Sequence, residues 1–174
     1  MKLATVEVSC GWLAFAWSRQ GLYAVTLPHA GPDAAKAALP ADITPLAAEG
    51  SWPALEDALR CYFAGEPVAF SAFPLDWSGY SPFARTVLEA TGRIPYGTTL
   101  SYGDVASLAG YPRAARAVGN VLGKNRTPVV IPCHRVVRAG GEPGGFTGGR
   151  EWKEYLLRLE GYISPAAAGN FPGK

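Results

Sequence analysis

The chain has 174 residues, 48% of them hydrophobic, and a formal net charge of +2, enough apolar material for one sizeable core or two small ones. Its longest apolar run near the N-terminus, Gly11 to Trp17, is far shorter than the ~20 residues that span a bilayer, and no basic, cleavable leader precedes it, so a cytoplasmic protein with no membrane partner is expected. The charge is uneven: residues 1–79 carry four Lys/Arg against eight Asp/Glu, net −4, and residues 80–174 carry twelve against six, net +6, so the second half is the one suited to a polyanion.

In chain order, residues 3 to 27 read as strands. Leu13, Phe15 and Trp17 alternate, Leu22 to Leu27 is β-rich, and Ser18 to Gly21 supplies a turn. Residues 31 to 50 hold a short helix or an irregular loop. Ser51 is placed to cap a helix with Pro53 in its first turn, and Leu55, Ala58, Leu59, Tyr62 and Phe63 form one apolar face that ends at Gly65. An extended segment, Val68 to Trp77, leads to a domain boundary near residue 79. Ser81 and Pro82 then open a helix that buries Phe83, Val87 and Leu88. Tyr102, Val105, Ala106 and Ala109 recur at helical spacing, Gly110-Tyr111-Pro112 breaks the pattern, and Arg113 to Leu122 resumes it, suggesting a helix-turn-helix. Val129 to Val137 reads as a β-rich run broken by Pro132. A glycine-rich loop follows from Arg138 to Gly149. The last helix, Arg150 to Glu160, stacks Trp152, Tyr155, Leu156 and Leu159 and stops at Gly161.

Cys10, Cys61 and Cys133 are an odd number at wide spacing, which fits neither a disulfide framework nor paired zinc ligands. Free thiols and no metal are expected. Cys133 stands apart because His134 is its neighbour, Arg135 and Arg138 bring positive charge that favours a thiolate, and Pro132 interrupts the ladder before it. A buried cysteine acting only as a small hydrophobe is the competing reading. Adjacent residues on a regular strand point to opposite faces, so a Cys133–His134 relay needs either a backbone turn at Pro132-Cys133 or a bridging water. His134 would be the general base and needs an orienting partner. Glu160 is a candidate, unless it is an ordinary solvated carboxylate.

The segment Ile131-Pro132-Cys133-His134-Arg135-Val136-Val137 resembles the active-site motif of the O6-alkylguanine-DNA alkyltransferases. Ile94 to Ala106, Ala114 to Gly119, Asn125, Gly148-Gly149, Lys153 and Glu160-Gly161 occur in that family's order and spacing. The resemblance is strong over residues 80–162 and weak before them. It implies that Cys133 is the alkyl acceptor, activated through His134 and a water by Glu160, with Asn125 holding the geometry and Tyr102 donating to the departing guanine. Arg116 would fill the gap left by the everted base. Ala114, Ala115 and Ala117 would let the helix approach the minor groove, with Arg113 and Ser101 beside them. Val136, Phe146, Thr147 and Gly148 would surround the base.

The fold implied is α/β, with a small ribonuclease-H-like N-terminal domain of β-sheet plus helix over residues 1–79. A mainly helical DNA-binding and alkyl-acceptor domain with a helix-turn-helix covers residues 80–165, and residues 166–174 form a flexible tail. The activity implied is a single-turnover transfer of a methyl or other alkyl group from O6-alkylguanine, with O4-alkylthymine as a further candidate. No cofactor is required. Double-stranded DNA is the partner and a monomer the expected state, with clustering along DNA left open. Phe146-Thr147 stands where many family members have Tyr-Ser, and Leu88 where tryptophan is frequent. Three alternatives remain: a non-catalytic alkylated-DNA binding protein, a ligand-sensing regulator and a cysteine hydrolase. The mostly methyl surface of Ala114 to Ala117 argues against major-groove readout by a regulator.

Overall fold

The computed structural model describes residues 1–41, 43 and 47–162; the tail expected at 166–174 lies outside them. The chain divides into two compact units. The first comprises Met1–Ser78 with Arg126–Pro128, and the second Gly79–Asn125 with the described residues from Val129 onward. Both combine helix and strand, so the chain is α/β, as its composition of elements implied.

In the first unit, β1 (Lys2–Val8), β2 (Gly11–Ser18) and β3 (Gly21–Val25) form an antiparallel meander, and β4 (Ala48–Glu49) adds a parallel edge to give the order β3-β2-β1-β4. The α-helices of this unit among the described residues are α1 (Pro32–Ala37) and α2 (Pro53–Phe63). The alternation read in β2 does not leave one face wet: Leu13, Ala14, Phe15 and Ala16 are all buried. Ala14 and Ala16 pack with Leu3, Ala24 and, from α1 and the residues after it, Ala35, Leu39 and Ile43. Their small side chains let the helix lie close, while Val6, Leu13 and Phe15 occupy the opposite face. Ser51 is not the cap of α2. Trp52 holds that position without a side-chain cap, and the Glu56 carboxylate instead accepts from Trp52 N at 3.0 Å and from Ser51 Oγ at 2.9 Å. Arg126 closes this unit, its guanidinium 3.9 Å above the Tyr23 ring and donating to Ser78 O at 2.8 Å.

The second unit contains α3 (Pro82–Gly92), β5 (Leu100–Ser101), α4 (Tyr102–Leu108), α5 (Ala115–Leu122), β6 (Val136–Val137) and α6 (Arg150–Leu159). Ser81 caps α3, its Oγ accepting from Ala84 N at 3.2 Å. Ser101 caps α4 in a two-way box with Asp104, which satisfies two otherwise unpaired donors. Residues 109–114 join α4 to α5. In the β-rich run read over 129–137, with its break at Pro132, only Val136–Val137 pairs as strand, in parallel with Leu100–Ser101. The reason is local. Val129 sits at φ +73, and Pro132 lacks an N–H and makes a tight reverse turn at φ −79, ψ 62 that brings Cys133 N to within 2.8 Å of Ile131 O, the geometry of an inverse γ-turn. Cys133–Arg135 then form a single 3-10 turn. No helix among the described residues is long and apolar enough to cross a membrane.

Candidate active site

The 3-10 turn answers the strand objection to a Cys133–His134 pairing, because successive side chains no longer alternate across a sheet. Cys133 is 3% exposed and lines a cavity of about 310 Å³ with Tyr102, Gly119, Leu122, Gly123, Gly145, Phe146 and Thr147. Asn125 Nδ2 donates to Cys133 Sγ at 3.1 Å and to Ile131 O at 3.0 Å, so one amide fixes both the sulfur and the turn that carries it.

Behind the sulfur, His134 is fully buried and its Nε2 lies 2.7 Å from Glu160 Oε1. Arg135 grips the same carboxylate with two donors, Nε to Oε2 at 2.8 Å and Nη2 to Oε1 at 3.0 Å, and donates to Ile94 O. Gly97 N adds a hydrogen bond to Oε2 at 3.1 Å. At that point the backbone has φ +72, which favours glycine, and a Cβ would crowd Glu160 O at 3.1 Å. The segment Ile94 to Gly97 therefore holds the acid that holds the histidine.

Burial alone would raise the Glu160 pKa, but hydrogen bonds from His134 and Arg135 outweigh it and hold the carboxyl down at about 2. The acid is ionised, so it accepts and Nε2 carries the proton, which makes Nδ1 the basic nitrogen of the neutral ring. Burial lowers the His134 pKa against the pull of Glu160, keeping the ring neutral and able to accept a proton. The expectation of a thiol ionised by its arginines is corrected. Burial pushes the Cys133 thiol up, opposed by Asn125 and by Lys153, Arg135 is committed to Glu160, and Arg138 is a surface residue paired with Glu142.

Lys153 was placed in the motif without a role, and the expected apolar stripe of α6 is displaced around it. The buried face is Lys153, Leu156, Leu157 and Glu160, an i, i+3, i+4, i+7 set with a charge at each end. Lys153 Nζ donates to Val136 O and, at 3.1 Å, to Gly145 O, and lies 5.7 Å from the Tyr102 ring centroid. Burial lowers its pKa to about 8.

The structure brings Cys133, His134, Asn125, Glu160, Tyr102, Phe146 and Thr147 together. Tyr102 donates to Gly145 O at 3.3 Å and its hydroxyl pKa is raised by burial, then by Cys133. The Phe146 ring meets His134 edge to face with centroids 6.5 Å apart. Val136 contributes its carbonyl to Lys153, and Gly148 lies in the following turn, outside the cavity lining. On α5 and the turn before it, Arg113 and Arg116 are exposed and Ala114, Ala115 and Ala117 half-buried. Ser101 spends its hydroxyl on Asp104 at 2.7 Å. Gly119, Leu122 and Gly123, which wall the cavity, were given no site role from sequence: Gly119 stood in the motif without one, Leu122 was read only as the end of a helix, and Gly123 fell just beyond it.

Residues 82–162 match the family described as 6-O-methylguanine DNA methyltransferase, DNA binding domain. A methylated-DNA–protein-cysteine methyltransferase of Mycolicibacterium paratuberculosis is 49% identical over 109 residues, 63% of this chain and 65% of that protein. One of Mycobacterium tuberculosis (strain ATCC 25618 / H37Rv) is 44% identical over 117 residues, 67% of this chain and 70% of that protein. Thus the match spans slightly less than two thirds of the former and more of the latter. The crystal structure of Mycobacterium tuberculosis OGT in complex with DNA matches with a TM-score of 0.77 and 33% identity, covering 95% of this chain and 96% of that one. The O6-methylguanine-DNA methyltransferase structure from Pyrococcus kodakaraensis, at 23% identity and a TM-score of 0.66, shares the fold.

Proposed function

The chain belongs to the methylated-DNA–protein-cysteine methyltransferase family, and from that premise we propose that it is a direct-reversal repair protein that moves an alkyl group from O6-alkylguanine in double-stranded DNA onto Cys133. The observation that carries this reading is the position of Cys133 Sγ: it faces a cavity while hydrogen-bonded to Asn125, beside the His134–Glu160–Arg135 chain.

The resting thiol is protonated, and its proton leaves as the substrate arrives. It passes to His134 Nδ1, directly or through a water, and the imidazolium formed is stabilised by the Glu160 carboxylate. Sγ attacks the alkyl carbon, the carbon–oxygen bond breaks, and its electron pair returns to the guanine. Tyr102, whose hydroxyl rests on Gly145 O, turns to donate to the departing base. Asn125 and Lys153 stabilise the transient negative charge on sulfur. The product is a thioether, which water does not cleave, so each molecule acts once.

The alkylated oxygen lies inside the base stack, so the nucleotide has to be everted, at a cost of a few kcal/mol. Arg116 is exposed on α5, one turn before Gly119 of the cavity wall, and fills the vacated place. Its alanine neighbours allow close approach to the minor groove, where reading is degenerate and a lesion can be sought in any sequence. Incubation with duplex DNA carrying labelled O6-methylguanine tests the reading: stoichiometric label on Cys133 is expected. DNA binding without transfer, or release of label with repeated turnover, would overturn it.

A further inference from the structure

Arg138 follows β6 directly and is not used by the chemistry above. Its backbone is fixed by a turn in which Arg138 N donates to Glu142 O and Gly141 N donates to Arg138 O, each at 2.8 Å. A Cβ on Gly144 would stand 3.5 Å from Arg138 Cγ and 2.9 Å from the Tyr102 hydroxyl. The arginine stem thus lies beside the same glycine as Tyr102, next to the cavity-lining Gly145. Gly144, at φ +69, leaves the space that the Tyr102 ring occupies, and the Arg138 stem packs against it at ordinary contact distance. Arg138 therefore carries its charge at the rim of the cavity, where it is felt by Tyr102 and Lys153.

The head of Arg138 is 67% exposed and pairs with Glu142, itself 73% exposed, across 3.4 Å. A solvated pair of this kind is weak, so the guanidinium is exchangeable. The field of Glu142 also reaches Arg150 at the start of α6. A carboxylate paired loosely with an exposed arginine whose stem lies beside the cavity occupies the kind of place that suits a phosphate. We propose that Arg138 grips a backbone phosphate flanking the everted nucleotide, and that Glu142 holds this guanidinium in the absence of DNA and is displaced by the phosphate. This inference rests on the base-everting repair reading.

The test is the second-order rate of Cys133 labelling by duplex O6-methylguanine, followed between about 50 and 200 mM salt, where each phosphate contact adds roughly 0.9 to the log–log slope. Arg138→Ala is expected to slow labelling about tenfold at the low-salt end and to lower the slope by about 1, while Arg138→Lys keeps the slope. Glu142→Gln is expected to speed labelling severalfold, because it frees the guanidinium. An unchanged slope in Arg138→Ala, or slowing in both Arg138→Ala and Glu142→Gln as a merely bracing pair would give, overturns the proposal. Wild-type protein that takes no label from duplex would overturn the repair reading and this proposal with it, a result distinct from labelled wild type with an indifferent Arg138→Ala.

Discussion

The Glu160 carboxylate lies 2.7 Å from His134 Nε2, with both side chains almost wholly out of solvent. Their pairing makes the acid a pH-dependent contributor to stability. Its folded pKa of about 2 is below the ordinary 4.5, so its contribution is complete above 4.5 and is lost as the pH falls toward 2. At 1.36 kcal/mol per unit the loss amounts to about 3 kcal/mol. Denaturant unfolding of the wild type is expected to weaken across that window. Glu160→Gln strands a buried guanidinium, so it should cost roughly 3–5 kcal/mol at pH 7 and flatten the acid slope. A variant that keeps the slope would remove Glu160 from its origin.

The Asn125 amide meets the sulfur and the Ile131 carbonyl together. Asn125→Ala removes a donor that stabilises the thiolate, so the Cys133 thiol moves further upward. Reaction with free O6-alkylguanine base should slow about tenfold at pH 7, and its pH profile should shift to higher pH. A uniform slowing with no shift would mean that Asn125 acts only on the turn. Cys133→Ala should abolish transfer while DNA binding persists, as gel retardation would reveal.

The elements of the fold that were legible in the sequence are those set by local signals. The Ser81-Pro82 start of α3 and the glycine-terminated helices follow from caps and periodicity. The β-rich run read over 129–137 does break at Pro132, but its first half forms no strand either, because β-propensity in Val129, Val130 and Ile131 is overridden by backbone geometry at Val129 and Pro132. At the site, adjacency identified Cys133 and His134. Arg135 could not be assigned, because its partner is 25 residues away, and an arginine beside a cysteine reads equally well as the thiol's own counter-charge. Lys153 was hidden differently: a lysine on a helix is ordinarily solvated, and only the packed position of α6 reveals that it lies on the buried face.

Lys153 carries its own prediction. Its pKa of about 8 against an ordinary 10.5 means that between those values the unfolded chain keeps a proton that the folded chain has released. The contribution of Lys153 to stability therefore rises as the pH climbs from about 8 to 10.5, by up to about 3 kcal/mol, and is opposed toward the upper end of that window by the Cys133 thiol, whose upward shift gives the reverse slope. Lys153→Met should abolish this alkaline rise. It should also slow labelling of Cys133 by free alkylguanine base, because the thiolate loses its nearby cation, and raise the pH at which the rate reaches half its maximum. Persistence of the alkaline rise in Lys153→Met would assign it to another group.

The role proposed for Arg116 is separable from the chemistry of transfer. Exposed on α5, Arg116 has no part in the chain from Asn125 to Glu160, so Arg116→Ala should leave the unfolding midpoint within about 0.5 kcal/mol of wild type. Eversion of a base costs a few kcal/mol, and a side chain that recovers about 1.4 kcal/mol of it changes the rate tenfold. Repair of O6-methylguanine in duplex DNA should therefore fall by about that factor or more in Arg116→Ala, while reaction with the free base falls much less, since no stack has to be opened. A lesion opposite an abasic site, already poorly held, should be repaired with an intermediate deficit. Equal losses on duplex and free base would place Arg116 in the chemistry of transfer and end its assignment as the residue that replaces the base.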